Sequence, residues 1–114
     1  MANPQVLLDG DHLSLEQLEC IARGADTQAG LAPGVRERMA RSRLLVERAI
    51  ASGQIVYGIT TGFGRLADVT VSADRLQELQ LNLIRSHACG VGPPLPREAV
   101  RAIMALRANV LAKG

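Results

Sequence analysis

Aromatic residues are almost missing from this sequence: no Trp, one Tyr and one Phe among 114 residues. A core without rings must be built from interdigitated aliphatic side chains, here Leu, Ala, Val and Ile. Strong charge is missing too. The net charge of +2 is too small to point to nucleic acid or an anionic membrane as a partner. The densest basic stretch, "VRERMARSRLLVER", alternates in sign and reads as the solvated face of a helix. Cysteine is limited to Cys20 and Cys89, with no CxxC spacing, so neither a zinc site nor a thioredoxin-type site is suggested. No histidine or carboxylate spacing completes a metal site, and none is expected. No apolar run approaches membrane-spanning length. The opening "MANPQVLLDGDHL" lacks the basic segment and long apolar run of a signal peptide. The reading is of a reduced, cytoplasmic protein with no nucleic-acid or membrane partner. What is present, 47% hydrophobic and 21% charged residues, is ordinary globular composition and argues against disorder. The length allows at most one domain.

"QVLLDG" is a short apolar run ending in the turn signal Asp9-Gly10, a candidate strand. "SLEQ" then gives a capping box, Ser14 with Gln17, and Leu13 and Leu18 occupy the two staple positions of a first helix that stops near Gly24. "GADTQAGLAPG" reads as a loop. A second helix is expected from near Pro33, with Val35, Met39, Val46 and Ile50 on one face and Gly53 closing it. Ser72 is placed to cap a third helix, with Asp74 in its first turn and Leu76, Leu79, Leu83 and His87 in one stripe. Pro96 opens a fourth, with Val100, Ile103, Met104, Val110 and Leu111 on one side. The fold expected is mainly α, with a short strand near the N-terminus and a long glycine-rich loop between the second and third helices. Nothing repeats, and the four apolar stripes are few for a closed bundle, so the sequence looks like the front of something larger.

Both rings fall in that one loop, "ASGQIVYGITTGFG" (residues 51–64), with four of the eleven glycines. It is not GxGxxG and has no GKT or GKS, so a nucleotide site is not indicated. Two roles for its rings stand open. Tyr57 and Phe63 plug a tight loop, or Tyr57 is a general acid or base on a loop that brings backbone close to another group. His87 lies on the apolar stripe of the third helix. It reads first as a core histidine with satisfied nitrogens, and second as a ligand contact. His12, in the polar turn "DGDHLS", reads as solvated.

Three motifs in order, "VYGITTGFG", "LQLNLIRSHACGVGPPLP" and "LRANVLAKG", closely resemble the N-terminal region of the histidine ammonia-lyases, within the aromatic amino acid ammonia-lyase family. The resemblance covers almost the whole chain, from "LDGDHLSLEQL" onward. It implies a mainly helical fold, a homotetramer, and an electrophilic methylidene-imidazolone (MIO) made by cyclising an internal Ala-Ser-Gly. In the family that triplet lies well downstream of the motif matching "SHACGVG". Ala51-Ser52-Gly53 is therefore a decoy, a helix end with a glycine cap. Residues 1–114 form a single N-terminal region that ends before the electrophile segment.

The resemblance also assigns roles. Tyr57 falls on the base that removes the substrate's β-proton. Gly58, Thr60, Thr61, Gly62, Phe63 and Gly64 form its active-site loop, with Phe63 as packing. Ser86 and His87 fall on the pair that faces the substrate side chain. The activity implied is the elimination of ammonia from L-histidine to give trans-urocanate. A tyrosine or phenylalanine lyase, an aminomutase, or a non-catalytic helical interaction module are the alternatives. Lacking the electrophile, this chain alone is expected to be inactive.

Overall fold

The computed structural model describes residues 5–114. Residues 1–4, which open the stretch read as carrying no signal peptide, lie outside the described part. The elements in order are β1 (Gln5–Leu8), α1 (Leu15–Arg23), β2 (Gln28–Leu31), α2 (Val35–Ala51), α3 (Leu76–His87) and α4 (Arg97–Leu111), with 3-10 turns at Gly64–Leu66 and Ala73–Arg75. They form two compact units. One takes residues 5–43 and 93–114, the other Leu44–Gly92.

In the first unit β1 alternates exposed and buried residues, so Val6 and Leu8 face inward. They join Ile21 of α1 and Ala105 of α4 in an aliphatic core, with Leu13, Leu18 and Ala108 packed against it. Both residues of the staple pair thus lie against the core. Ser14 accepts from the Gln17 amide while Gln17 reaches back to the Ser14 amide, closing the capping box.

The stretch expected as a loop after α1 contains a strand. β2 pairs in parallel with β1, Gln5 opposite Gln28 through Leu8 opposite Leu31, and the Ala32 amide continues the ladder to the Leu8 carbonyl at 3.0 Å. The reason it reads as loop is its composition. "QAGL" holds no β-branched or aromatic residue, and its strand conformation comes from its partner.

α4 packs on α1 through its alanine side: Ala105 is buried and Ala99, Ala102 and Ala108 are half-buried. Val100, Ile103, Met104, Val110 and Leu111, which the sequence places together on one side, are exposed. Small side chains let two helices approach closely, so the bulky stripe is the one turned out. The Arg101 guanidinium donates to the Ile21 carbonyl at 2.7 Å and the Thr27 carbonyl at 3.2 Å. One cation thereby satisfies a carbonyl in the last turn of α1 and the backbone entering β2. Arg38 does the same for the Asp9 and Ala112 carbonyls, at 2.6 and 3.1 Å.

The turn after β1 is polar and is bonded both within itself and to α4, whose Asn109 side chain accepts from the Gly10 amide at 2.9 Å. The Asp9 carboxylate accepts from the Asp11 and His12 amides at 2.8 and 2.9 Å and pairs with His12 Nδ1 at 2.6 Å. These bonds, the Asp11 amide first, hold the Asp9 carboxyl well below the usual carboxylate range. The same carboxylate raises His12 above its ordinary value. His12 is exposed but paired.

α2 starts at Val35, two residues after Pro33. Val35 is fully buried and Val46 and Ile50 are half-buried, while Met39 lies at the exposed edge. The helix ends in a Schellman motif: the Gln54 amide bonds the Ala49 carbonyl and the Gly53 amide bonds the Ile50 carbonyl, both at 3.1 Å. Gly53 takes φ +68°, the left-handed conformation that this cap requires. Among the described residues no helix is long and apolar enough to cross a membrane.

Candidate active site

The second unit carries the loop and its flanking helix. The chain leaves α2 and doubles back at once: the Ile59 and Thr60 amides both reach the Val56 carbonyl, at 3.0 and 2.9 Å. Two threonine hydroxyls build the rest from inside. Thr60, 7% exposed, donates its hydroxyl to the Gln54 carbonyl at 2.7 Å and accepts from the Val56 amide at 2.8 Å. Thr61, 1% exposed, accepts from the Gly58 amide at 3.2 Å and donates to the Gly62 carbonyl at 3.0 Å. The following strand-like segment pins the far side. Thr61 bridges Thr70, the Gly62 amide bonds the Val69 carbonyl at 3.1 Å, and the Val71 amide bonds the Thr60 carbonyl at 2.9 Å. The glycine-rich loop is therefore an internally bonded unit.

Tyr57 is not a plug in this chain. Its side chain is 62% exposed, whereas Phe63 is half-buried. The two rings meet edge to face, centroids 6.0 Å apart at 77°, a favoured aromatic geometry. Gly58 makes room for the contact. It takes φ +71°, and a Cβ there would lie 2.9 Å from Phe63 Cε1, so only glycine fits. The Gly64 amide donates to the Tyr57 hydroxyl oxygen at 3.3 Å. The loop thus turns its one phenol outward, with a long backbone contact on its oxygen.

α3 enters differently from the expected N-cap. Ser72 precedes the 3-10 turn Ala73–Arg75, without a side-chain cap bond, and the α-helix begins at Leu76. The stripe is as expected up to its last member: Leu76 is buried, Leu79 and Leu83 are half-buried, and His87 is exposed. A core role for His87 is therefore not what this chain shows. At the helix end, His87 Nδ1 lies 2.8 Å from the Leu83 carbonyl and 3.1 Å from Ser86 Oγ, while Ser86 Oγ donates to the same carbonyl at 2.8 Å. A carbonyl only accepts, so in a neutral imidazole the proton sits on Nδ1 and Nε2 keeps its lone pair. Ser86 and His87 are thus brought together, and so are Tyr57, Gly58, Thr60, Thr61, Gly62, Phe63 and Gly64.

α3 reaches the loop through a residue that sequence reasoning missed. Gln80 Nε2 donates to the Gly58 carbonyl at 2.9 Å. Its one sequence signal is its place seven residues before His87, which puts both on one side of the helix. Among the described residues no group of three His, Cys, Asp or Glu side chains could hold a metal ion. Cys20 and Cys89 are free and exposed.

Comparison with known proteins bears on this arrangement directly. The aromatic amino acid lyase family model matches residues 13–114. A histidine ammonia-lyase from Anaeromyxobacter sp. (strain K) is 54% identical over 109 residues, covering 96% of this chain and 21% of that protein. Among solved structures, histidine ammonia-lyase from Trypanosoma cruzi superposes with a TM-score of 0.85 at 37% identity, over 96% of this chain and 21% of that one. A tyrosine aminomutase from Streptomyces globisporus gives a TM-score of 0.88 at 35% identity, over 97% and 21%. The chain spans about a fifth of the length of the relatives it matches. On the family model, the identity and the shared helical fold together, this chain belongs to the aromatic amino acid lyase family.

Proposed function

We propose that this chain is the N-terminal portion of a histidine ammonia-lyase, a carbon–nitrogen lyase that converts L-histidine to trans-urocanate and ammonia. The observation that carries the substrate is the 54% identity to a histidine ammonia-lyase across nearly the whole chain, the stretch that holds both Tyr57 and His87. Tyr57 is the base. A β-proton is weakly acidic, so its acceptor must be close, oriented and shielded. The structure supports the orientation: an outward phenol, an amide N–H on its oxygen, and a loop bonded from within by Thr60 and Thr61. An N–H donor serves that oxygen both before and after it takes a proton. His87 faces the substrate side chain. With Nδ1 bonded to the Leu83 carbonyl, Nε2 accepts from an imidazole N–H of the substrate, and Ser86 braces the pair.

The family's electrophile, the MIO group, does not fit the Ala-Ser-Gly in this chain. Ala51 is the last residue of α2, Ser52 Oγ bonds the Ala49 carbonyl at 3.2 Å, and Gly53 closes the Schellman motif. In this reading the electrophile comes from outside residues 1–114, and the complete enzyme is a cytoplasmic homotetramer. Purified residues 1–114 given L-histidine are expected to release no urocanate, and turnover from protein free of longer contaminants would refute that. A second reading, a tyrosine-directed lyase or aminomutase, is favoured by the TM-score of 0.88 to the tyrosine aminomutase. Incubating the full-length enzyme with L-histidine, L-tyrosine and L-phenylalanine separates the two. Urocanate from histidine alone supports the first. A product only from tyrosine or phenylalanine supports the second. No turnover of any supports an interaction module.

A further inference from the structure

We propose that Gln80 is a positioning residue for Tyr57, so that α3 holds both the tyrosine loop and the Ser86–His87 pair. The inference rests on the reading of Tyr57 as the base. Gly58, which directly follows Tyr57, is the most conformationally permissive kind of residue in the most sensitive place. Both of its polar main-chain groups are tied by side chains. Its N–H donates to Thr61 Oγ1 at 3.2 Å, and its C=O accepts from Gln80 Nε2 at 2.9 Å. Thr61 belongs to the loop itself, so its bond shapes the loop without fixing where the loop sits. Gln80 lies 22 residues further on, and its bond ties the loop to a helix. Because Gln80 and His87 are two turns apart, that helix is the one that ends in the substrate-facing pair. Losing the Gln80 donor frees rotation about the Gly58 backbone and lets the phenol wander, and misplacement of a reacting group by about 1 Å can cost up to about 10²-fold in rate.

The test uses the full-length enzyme with Gln80→Met, which keeps the length and loses the donor, and Gln80→Lys, which restores a donor at similar reach. Gln80→Met is expected to lower kcat about three- to tenfold, the worth of one hydrogen bond expressed as a rate. KM and thermal stability are expected to stay essentially unchanged, because the bond acts on the base and not on the bound substrate. Gln80→Lys is expected to recover most of the loss. Gln80→Glu, which sets a carboxylate against the Gly58 carbonyl, is expected to be as slow as Gln80→Met. In a Tyr57→Phe background, Gln80→Met is expected to add no further loss, since its effect passes through the missing hydroxyl. Full kcat in Gln80→Met or Gln80→Glu overturns the proposal, and so does a loss that adds fully on top of Tyr57→Phe. Either result leaves the role of Tyr57 standing. Full kcat in Tyr57→Phe itself overturns the base reading, and this proposal with it, so the two failures are told apart.

Discussion

Tyr57→Phe removes one oxygen and keeps the ring, and the structure sizes what that oxygen does for packing. The edge-to-face contact with Phe63, 6.0 Å at 77°, belongs to the ring and survives. What is lost is one bond from the Gly64 amide, 3.3 Å long, beyond the usual range for a good N–H···O contact. A net hydrogen bond is worth about 1 kcal/mol, and a long one on an exposed side chain is worth less. Loosening of the loop could therefore slow turnover by about fivefold at most. A positioned base is worth about 10²- to 10⁴-fold, so the two roles for Tyr57 separate by more than an order of magnitude. The loss is expected in kcat, with KM little changed, because proton removal belongs to the transition state. The assay is urocanate formation by the full-length enzyme at saturating L-histidine, with the electrophile's own absorbance read on the same sample. A Tyr57→Phe enzyme with an intact electrophile and kcat within about fivefold of the parent would refute the base assignment and return Tyr57 to packing.

Three further outcomes are expected. Ser52→Ala in the full-length enzyme should keep full activity and change stability by no more than about 0.5 kcal/mol, since its hydroxyl makes only a local bond to Ala49. Lost turnover with a normal melting curve would mean that this triplet is the electrophile after all. His87→Leu in the full-length enzyme should raise KM for histidine about five- to tenfold, the worth of one hydrogen bond, with little change in melting temperature because Leu continues the apolar stripe of Leu76, Leu79 and Leu83. A melting collapse with unchanged KM would mark His87 as structural. In residues 1–114, His12 should titrate above its ordinary 6.5, because the Asp9 carboxylate bonds Nδ1. Its contribution to stability is full below the unfolded value and is lost as pH rises through the raised one. The Asp9 contribution is present above 3.8 and is lost as pH falls through its depressed value. Asp9→Asn should return the His12 NMR titration toward 6.5, and an unmoved midpoint would show that the pair does not form in solution.

Local chemistry made several features legible in the sequence. The Ser14–Gln17 box, the Leu13–Leu18 staple and the Gly53 cap are each specified by residues a few positions apart, and each stands where the pattern put it. β2 was not legible, because its four residues form a strand only by lying beside β1. Which face of α4 meets α1 was not legible for a related reason: among the described residues the stripe with Ile103 and Met104 stands exposed, and Ala105 is the buried residue. At the candidate site, composition and spacing left Tyr57 between plug and base, and His87 between core and ligand. The family motifs assigned both roles, and the structure adds that both side chains are exposed. Gln80 left only its spacing from His87, since a glutamine on a helix surface looks alike whether or not its amide reaches a distant carbonyl.

The Arg101 clamp has a consequence for anyone wishing to alter this chain. Because one guanidinium bonds both the Ile21 and the Thr27 carbonyls, the two ends of the turn after α1 are held together independently of the peptide that joins them. Lengthening that turn costs mainly loop entropy, about 0.6 kcal/mol for each doubling of its length. The exposed residues Ala25 and Asp26 therefore mark the place in this unit where a longer turn leaves the β1–β2 pairing in register.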